Sequence, residues 1–262
     1  MPAESSRKKV VLAIAGHDPS GAAGIQADIE SIAANGCRTV SIITVLTVQN
    51  TSIFQEMVVQ KPDDFRKQCQ MLLSDIPIDA CKIGLLGDLA ITKVITEILD
   101  EFREVPVVFD PIIKSGTGKV LTTPEHSEYI SQVLLQRACV LTPNYMEARH
   151  LSGRNDIYQA GERLLDSGCP HILITGADEK TDLVTNILFE AHADPVPYQW
   201  ERLQGVFHGS GCTLSSAIAA LIAKGNTIKT AIEAAQEYTW KTIKYGYPLG
   251  HGQLHPNRFY NC

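Results

Sequence analysis

The stretch Val10–Asn35, VVLAIAGHDPSGAAGIQADIESIAAN, decides the fold. Its first six residues form a β-branched and aliphatic run of strand length with no polar alternation, as expected of a strand buried on both faces. GHDPSG (16–21) then breaks the run, and Gly24–Asn35 carries Ile25, Ile29 and Ile32 at helical spacing. A buried strand, a glycine-rich turn and an amphipathic helix make the opening half of a βαβ unit.

The pattern repeats outward from there. Strand-like runs fall at 39–48, 82–86, 105–110, 138–142 and 171–175, and helical patterns at 62–74, 91–102, 124–136 and 160–167. Such alternation predicts a parallel sheet covered by helices on both faces. LVTNILFE (183–190) and PVPYQWERL (195–203) break the rhythm and read as an antiparallel pair near the sheet edge, followed by two C-terminal helices. No proline- or serine-rich linker or internal repeat divides the 262 residues, so a single domain over 1–262 is expected, with 1–9 as a flexible leading segment.

Composition narrows the function. A net charge of −6 without a Lys/Arg cluster argues against nucleic-acid binding, and no apolar run reaches membrane-spanning length. The seven cysteines are scattered, with no CxxC pair, which suits a reducing compartment. A cytoplasmic protein is the expectation.

In open α/β sheets, ligands gather at the carboxyl ends of strands. GHDPSG has the glycine spacing of a P-loop, but Ala22 and Ala23 stand where Lys and Ser/Thr are required. It is either a tight turn or a loop where a ligand meets backbone. Asp28 flanks the apolar stripe of its helix and needs donors, from a salt bridge or from a ligand's amino groups. In VFDPIIKSGTGK (108–119), Asp110 at a strand end suits a Mg²⁺ site and Lys114 a phosphate, unless the segment is a solvated loop. Asn144 and Glu147, three apart in TPNYMEA, share one face of a helical turn, where Glu147 is either a ligand or a cap. Finally, FHGSGCT (207–213) precedes a run of small helix formers. The amides of Gly209, Ser210, Gly211 and Cys212 then form an anion hole at a helix N-terminus, whose field favours a Cys212 thiolate able to accept a proton from a substrate hydroxyl.

AGHDPSGAAGIQADI, TVLTVQNT, KIGLLGD, DPIIKSG, LTPNYMEA and HGSGCTLSSAIAA, in this order, resemble the hydroxymethylpyrimidine/phosphomethylpyrimidine kinases of thiamin biosynthesis. That family belongs to the ribokinase-like superfamily. The resemblance implies a three-layer α/β/α fold with a mostly parallel sheet. It also implies transfer of phosphoryl groups from ATP, with Mg²⁺, to the hydroxymethyl group of 4-amino-5-hydroxymethyl-2-methylpyrimidine and then to the monophosphate. Gln49, Gly16 and Asp28 match substrate contacts, and Leu85 falls where the family often has methionine against the ring. Cys212 matches the proposed catalytic base, and Asp110, Asn144 and Glu147 the metal and phosphate region. A homodimer is also implied.

Two departures stand out. Many members have Lys-Gly-Gly after the strand at 171–175, where this chain has Thr175 and Gly176, so Lys114 is the candidate to supply charge at the ATP phosphates. Asn-Thr-His before the anion hole is replaced by Val206, Phe207 and His208. Two rival readings share the scaffold: a pyridoxal kinase, which a lysine or second reactive cysteine near the ring would favour, with Cys81 and Lys82 as candidates, and a non-catalytic ligand sensor.

Overall fold

A computed structural model describes residues 7–116 and 118–261. The expected leading segment 1–9 therefore falls largely outside the described residues, as do Thr117 and Cys262. Of that segment, Arg7 and Lys9 bind the Asp79 carboxylate at 2.9 and 3.0 Å.

The chain runs β1 (Val10–His17), α1 (Gly24–Ala34), β2 (Arg38–Gln49), β3 (Phe54–Val59), α2 (Pro62–Leu73), β4 (Ala80–Ile83), α3 (Leu89–Glu101), β5 (Val107–Phe109) and α4 (Pro124–Tyr129). It continues through β6 (Val140–Leu141), α5 (Tyr145–Ser152), α6 (Ile157–Leu165), β7 (His171–Ile174), β8 (Leu183–Glu190), β9 (Val196–Glu201), α7 (Ser210–Ala223) and α8 (Ile228–Lys244). The strands form one sheet in the order β3-β2-β1-β4-β5-β6-β7-β8-β9. Its six middle strands are parallel, while β3, β8 and β9 pair antiparallel at the two ends. The antiparallel pair expected at the edge is β8 and β9.

Side-chain alternation along β1 divides the core. Leu12 and Ile14 point into one apolar cluster, with residues of α2, α3, α5 and α6, whereas Val11, Ala13 and Ala15 point into the other, with α1, α7 and α8. A strand apolar on both faces thus requires helices on both sides, giving three α/β/α layers.

Four details differ from the sequence reading. β3 was not expected, because FQEMVV is a half-exposed edge strand whose polar residues mask its pattern. The helix expected over 124–136 is α-helical only to Tyr129 and continues as a π turn (Ile130–Leu134) and a 3-10 turn (Leu135–Arg137). α6 begins at Ile157, earlier than expected, because Asp156 caps it by accepting from the Gln159 N–H at 2.9 Å. In α1 the buried face holds Ile25, Asp28 and Ile32, and Ile29 is 41 % exposed. The packing of α1 under α7 chose Asp28 over its apolar neighbour.

Gly161 of α6 gives a test of the packing. A Cβ at this position would lie 2.5 Å from the Phe189 ring. Gly161→Ala is expected to destabilise the fold by about 1–3 kcal/mol, although alanine is the better helix former. Urea unfolding checks this, and a variant as stable as the parent would contradict the contact.

Candidate active site

The carboxyl ends of the parallel strands share one rim, and the loops after them carry most of the expected site. Two cavities open there. The first is lined by Gly16, Gln49, Leu85, Lys114, His208 and Cys212. The second lies between β8, β9, α7 and α8 and takes Thr175, Val184, Trp200, Gln236 and Trp240 into its wall. The first turn of α7 separates them: Ser210 and Gly211 line the second cavity, and Cys212 the first.

That turn is held by backbone contact. Gly209, the N-cap of α7, has φ 84°, and a Cβ there would sit 1.9 Å from the Ala22 carbonyl oxygen. Only glycine combines the left-handed conformation with such an approach. No side chain caps α7, so its leading N–H groups face the rim with their partial positive charge. Asp110 follows β5 and lies beside them, its Oδ2 3.6 Å from where a Gly211 Cβ would be.

Asp110 and Glu147 are both buried. Ser215 Oγ donates to Asp110 at 3.4 Å, and the Cys212 thiol also hydrogen-bonds it. Burial raises Asp110 to about 6, with Lys82 opposing and Asp28 adding. Burial raises Glu147 to about 8, with Asp110 adding to the rise. Asn144 and Glu147 form a reciprocal capping box at the start of α5: Glu147 N–H donates to Asn144 Oδ1 at 2.8 Å, and Asn144 N–H to Glu147 Oε2 at 2.9 Å. Glu147 is thus a cap and also a buried carboxylate beside Asp110. Both ends of the Asn144 segment bond to Thr175, through Tyr145 N–H to Thr175 O at 3.1 Å and Thr175 N–H to Pro143 O at 2.9 Å. Gly176 N–H donates to Asn186 Oδ1 at 3.1 Å.

Two expectations need correction, and a third residue is placed apart from the one it was to replace. Asp28, expected at the substrate, lines neither cavity: it is fully buried, with Oδ1 2.7 Å from Lys82 Nζ and 2.8 Å from Ser216 Oγ. Of the two readings open for it, the salt bridge holds. Cys212, expected as a thiolate, has its thiol pushed up to about 12 by burial, with Lys82 pulling down and Asp110 and Asp28 pushing up. Desolvation and two carboxylates outweigh the helix terminus. Lys114, expected at the ATP phosphates, is exposed and lines the first cavity, whereas Thr175 lines the second.

Sequence reasoning missed other members. Asp18, inside GHDPSG, accepts from Ser20 N–H at 2.9 Å and Ala23 N–H at 3.0 Å and lies 3.4 Å from His208 Nε2. Burial would raise it, but the His208 and Ser20 hydrogen bonds hold it at about 2. His208, which lines the first cavity with Cys212, is thereby engaged by Asp18. Arg258, 2 % exposed on its side chain, donates to Thr213 Oγ1 and Glu30 Oε2 at 3.0 Å and also to the Ala22 carbonyl. It ties the C-terminal segment to the first loop and to α7. A lone arginine 45 residues past Thr213 carries no sequence signal for this.

A rim with one cavity on each side of a helix N-terminus, and acidic residues beneath it, is the layout of a small-molecule phosphotransferase. Residues 18–257 match the family model described as phosphomethylpyrimidine kinase. The chain is 33 % identical to the hydroxymethylpyrimidine/phosphomethylpyrimidine kinase of Streptomyces coelicolor over 255 residues, covering 93 % of this chain and 91 % of that protein. It is also 33 % identical to a thiamine biosynthesis bifunctional protein of Geobacter sulfurreducens, covering 92 % of this chain but 50 % of that longer protein. Among solved structures, the pyridoxal kinase of Staphylococcus aureus in complex with AMP-PCP and pyridoxal superimposes with a TM-score of 0.86 at 28 % identity, covering 96 % and 94 % of the two chains. The protein is a kinase with the ribokinase-like fold. It belongs to the phosphomethylpyrimidine kinase family.

The Asp28–Lys82 pair supplies a test. Lys82→Met strands a buried carboxylate and is expected to cost about 3–5 kcal/mol, whereas Lys82→Met with Asp28→Asn removes both charges and recovers most of the loss. Denaturant melts of the two variants check this, and a double variant no more stable than the single one would contradict it.

Proposed function

We propose that the protein transfers the γ-phosphoryl group of ATP to the hydroxymethyl group of 4-amino-5-hydroxymethyl-2-methylpyrimidine, and a second phosphoryl group to the resulting monophosphate. The observation that carries this reading is the meeting of the two cavities at Ser210–Cys212. The apolar, tryptophan-walled cavity takes the nucleotide, and the cavity with Gln49, Gly16 and Leu85 takes the pyrimidine. Gln49 offers both a donor and an acceptor to an aminopyrimidine edge. Gly16 lines the same cavity, and a Cβ there would meet Leu85 and Val45 at 3.0 Å each, so glycine leaves the Leu85 wall undisturbed.

Phosphoryl transfer asks mainly for positioning and electrostatic stabilisation. The first-turn amides of α7 point at the transferring group, where negative charge must be held. Asp110 and Glu147 fit Mg²⁺, which takes one or two carboxylates plus phosphate oxygens: both are buried, that burial raises them, and Asp110 adds to the rise at Glu147. When bound there, Mg²⁺ would supply charge to the phosphate oxygens. Neutralising Asp110 also removes one of the carboxylates that raise the Cys212 thiol. For Cys212, at the cavity wall, to accept the substrate hydroxyl proton its own thiol proton must first leave, which burial opposes and the charge of a bound Mg²⁺ and of the α7 N-terminus would favour.

Pyridoxal kinase activity finds support in the Staphylococcus structure. Against it, Cys81 and Lys82 are 2 % and 0 % exposed and line neither cavity. Neither can meet an aldehyde on a bound ring, so the pyrimidine is the better-supported substrate. A cytoplasmic homodimer belongs to the same reading. The β2–β3 hairpin leaves Leu46, Val48, Ile53 and Val58 on the surface, and no helix among the described residues is long and apolar enough to cross a membrane.

With Mg·ATP and the hydroxymethylpyrimidine, mass spectrometry over time is expected to show monophosphate followed by diphosphate, and Cys212→Ala to slow both by about a hundredfold. Pyridoxal phosphate with an idle pyrimidine would reverse the substrate assignment.

The carboxylate pair gives a pH test. Both groups bind protons more tightly in the folded chain, so their contribution to stability is present below the usual carboxylate range and is lost as pH rises through about 6 and about 8. Mg²⁺ competes with those protons. The thermal stabilisation by Mg²⁺ is therefore expected to grow from about pH 6 to about pH 8.5, and to disappear in Asp110→Asn. A gain that is equal at both ends of that range would remove the metal from this pair.

A further inference from the structure

Gln236, on α8, is 3 % exposed and lies in the wall of the tryptophan-lined cavity. Its amide orientation is decided from both sides. The Trp200 indole N–H, which can only donate, reaches Gln236 Oε1 at 3.2 Å. Asn186 Nδ2 donates to the same oxygen at 2.9 Å, and Asn186 cannot be turned round because its Oδ1 accepts from the Gly176 backbone N–H at 3.1 Å. Two groups with no acceptor capacity, Gly176 N–H and the Trp200 indole, therefore anchor the chain Gly176–Asn186–Gln236–Trp200. Gln236 Nε2 must carry the hydrogens.

That nitrogen is buried and has no hydrogen-bond partner among the described residues. An unpaired buried donor costs about 1–3 kcal/mol, and protein interiors rarely tolerate one unless something else satisfies it. Val184, Leu214, Trp240 and Ile243 make much of the wall apolar, and Ser210 and Gly211 at the α7 N-terminus line the same cavity. A matching ligand is flat and apolar-faced, carries an acceptor at one end and places phosphates at the other. A purine nucleotide has that form.

We infer that Gln236 reads the base of the nucleotide, donating from Nε2 to an acceptor ring nitrogen of adenine, with Asn186 and Trp200 as the positioning residues that hold its amide. The inference rests on the kinase reading for the identity of the ligand. It adds a specificity residue on α8, a helix whose sequence has no nucleotide-binding signature.

Trp200 and Trp240 are the chain's two tryptophans, and both line the cavity, so quenching of intrinsic fluorescence reports its occupancy without turnover. The titrants are ATP and its 1-deaza, 3-deaza and 7-deaza analogues, each lacking one ring acceptor. One analogue is expected to bind about tenfold more weakly than ATP to the native protein. Gln236→Glu keeps an oxygen for Asn186 and Trp200 but loses the N–H donor, and in that variant the analogue's penalty is expected to fall below about twofold. The inference is overturned if all three analogues bind within about twofold of ATP, if the penalty persists in Gln236→Glu, or if ATP leaves the fluorescence unchanged. Should the variant fail to fold, the analogue series on the native protein decides alone. ATP binding with the expected analogue pattern but no phosphorylated pyrimidine would count against the kinase reading and leave Gln236 in place.

Discussion

The ion pair between Asp28 and Lys82, at 2.7 Å and with both side chains fully buried, is the constraint around which the site is built. An ionised group in a protein interior must be matched or it will neutralise. Here one buried ammonium acts on two buried carboxylates, Asp28 and Asp110, and pairs directly only with the first, while Glu147 adds a further buried carboxylate that interacts with Asp110. Lys82 draws Asp110 and the Cys212 thiol down, yet burial and the remaining negative charge leave both raised. The rim is therefore short of positive charge. That shortage suits a substrate that arrives with a divalent cation.

The same pair has a mechanical role. Asp28 comes from α1, Lys82 from β4 and Ser216, which also donates to Asp28, from α7. Locking these three elements together sets how closely α7 approaches the loop after β1, and Gly209 meets the Ala22 carbonyl where any side chain would collide. Arg258 fastens that contact from outside through Ala22 and Thr213. The first turn of α7 is thus placed by a buried charge pair on one side and a C-terminal arginine on the other.

Function divides along the same geometry. The first turn of α7 belongs to both cavities, so a group transferred between their occupants passes over the same few amides. The cavity walled by Trp200 and Trp240 is apolar with one polar line, Gly176–Asn186–Gln236–Trp200, whereas the other mixes glycine, amide, thiol and histidine. Specificity for two chemically different partners needs two such environments, and a single sheet rim supplies both.

Periodicity alone was enough for the layers. Buried strands such as VVLAIA have to be covered on both faces, and that requirement is local and readable. Glycine placement marked the turn before α7, but not that Gly209 there meets the Ala22 carbonyl. Three things were decided only by tertiary packing. Whether Asp28 met a ligand or Lys82 depended on a partner 54 residues away, and the choice between Ile29 and Asp28 for the buried face of α1 depended on α7 lying across it. The Cys212 proton affinity was misread because a helix terminus is visible in sequence, whereas the desolvation and carboxylates that outweigh it are not. Gln236, Trp200 and Arg258 act through contacts with no spacing rule. A sequence records which groups are available, but burial and long-range neighbours decide which of them are paired, ionised or left facing a ligand.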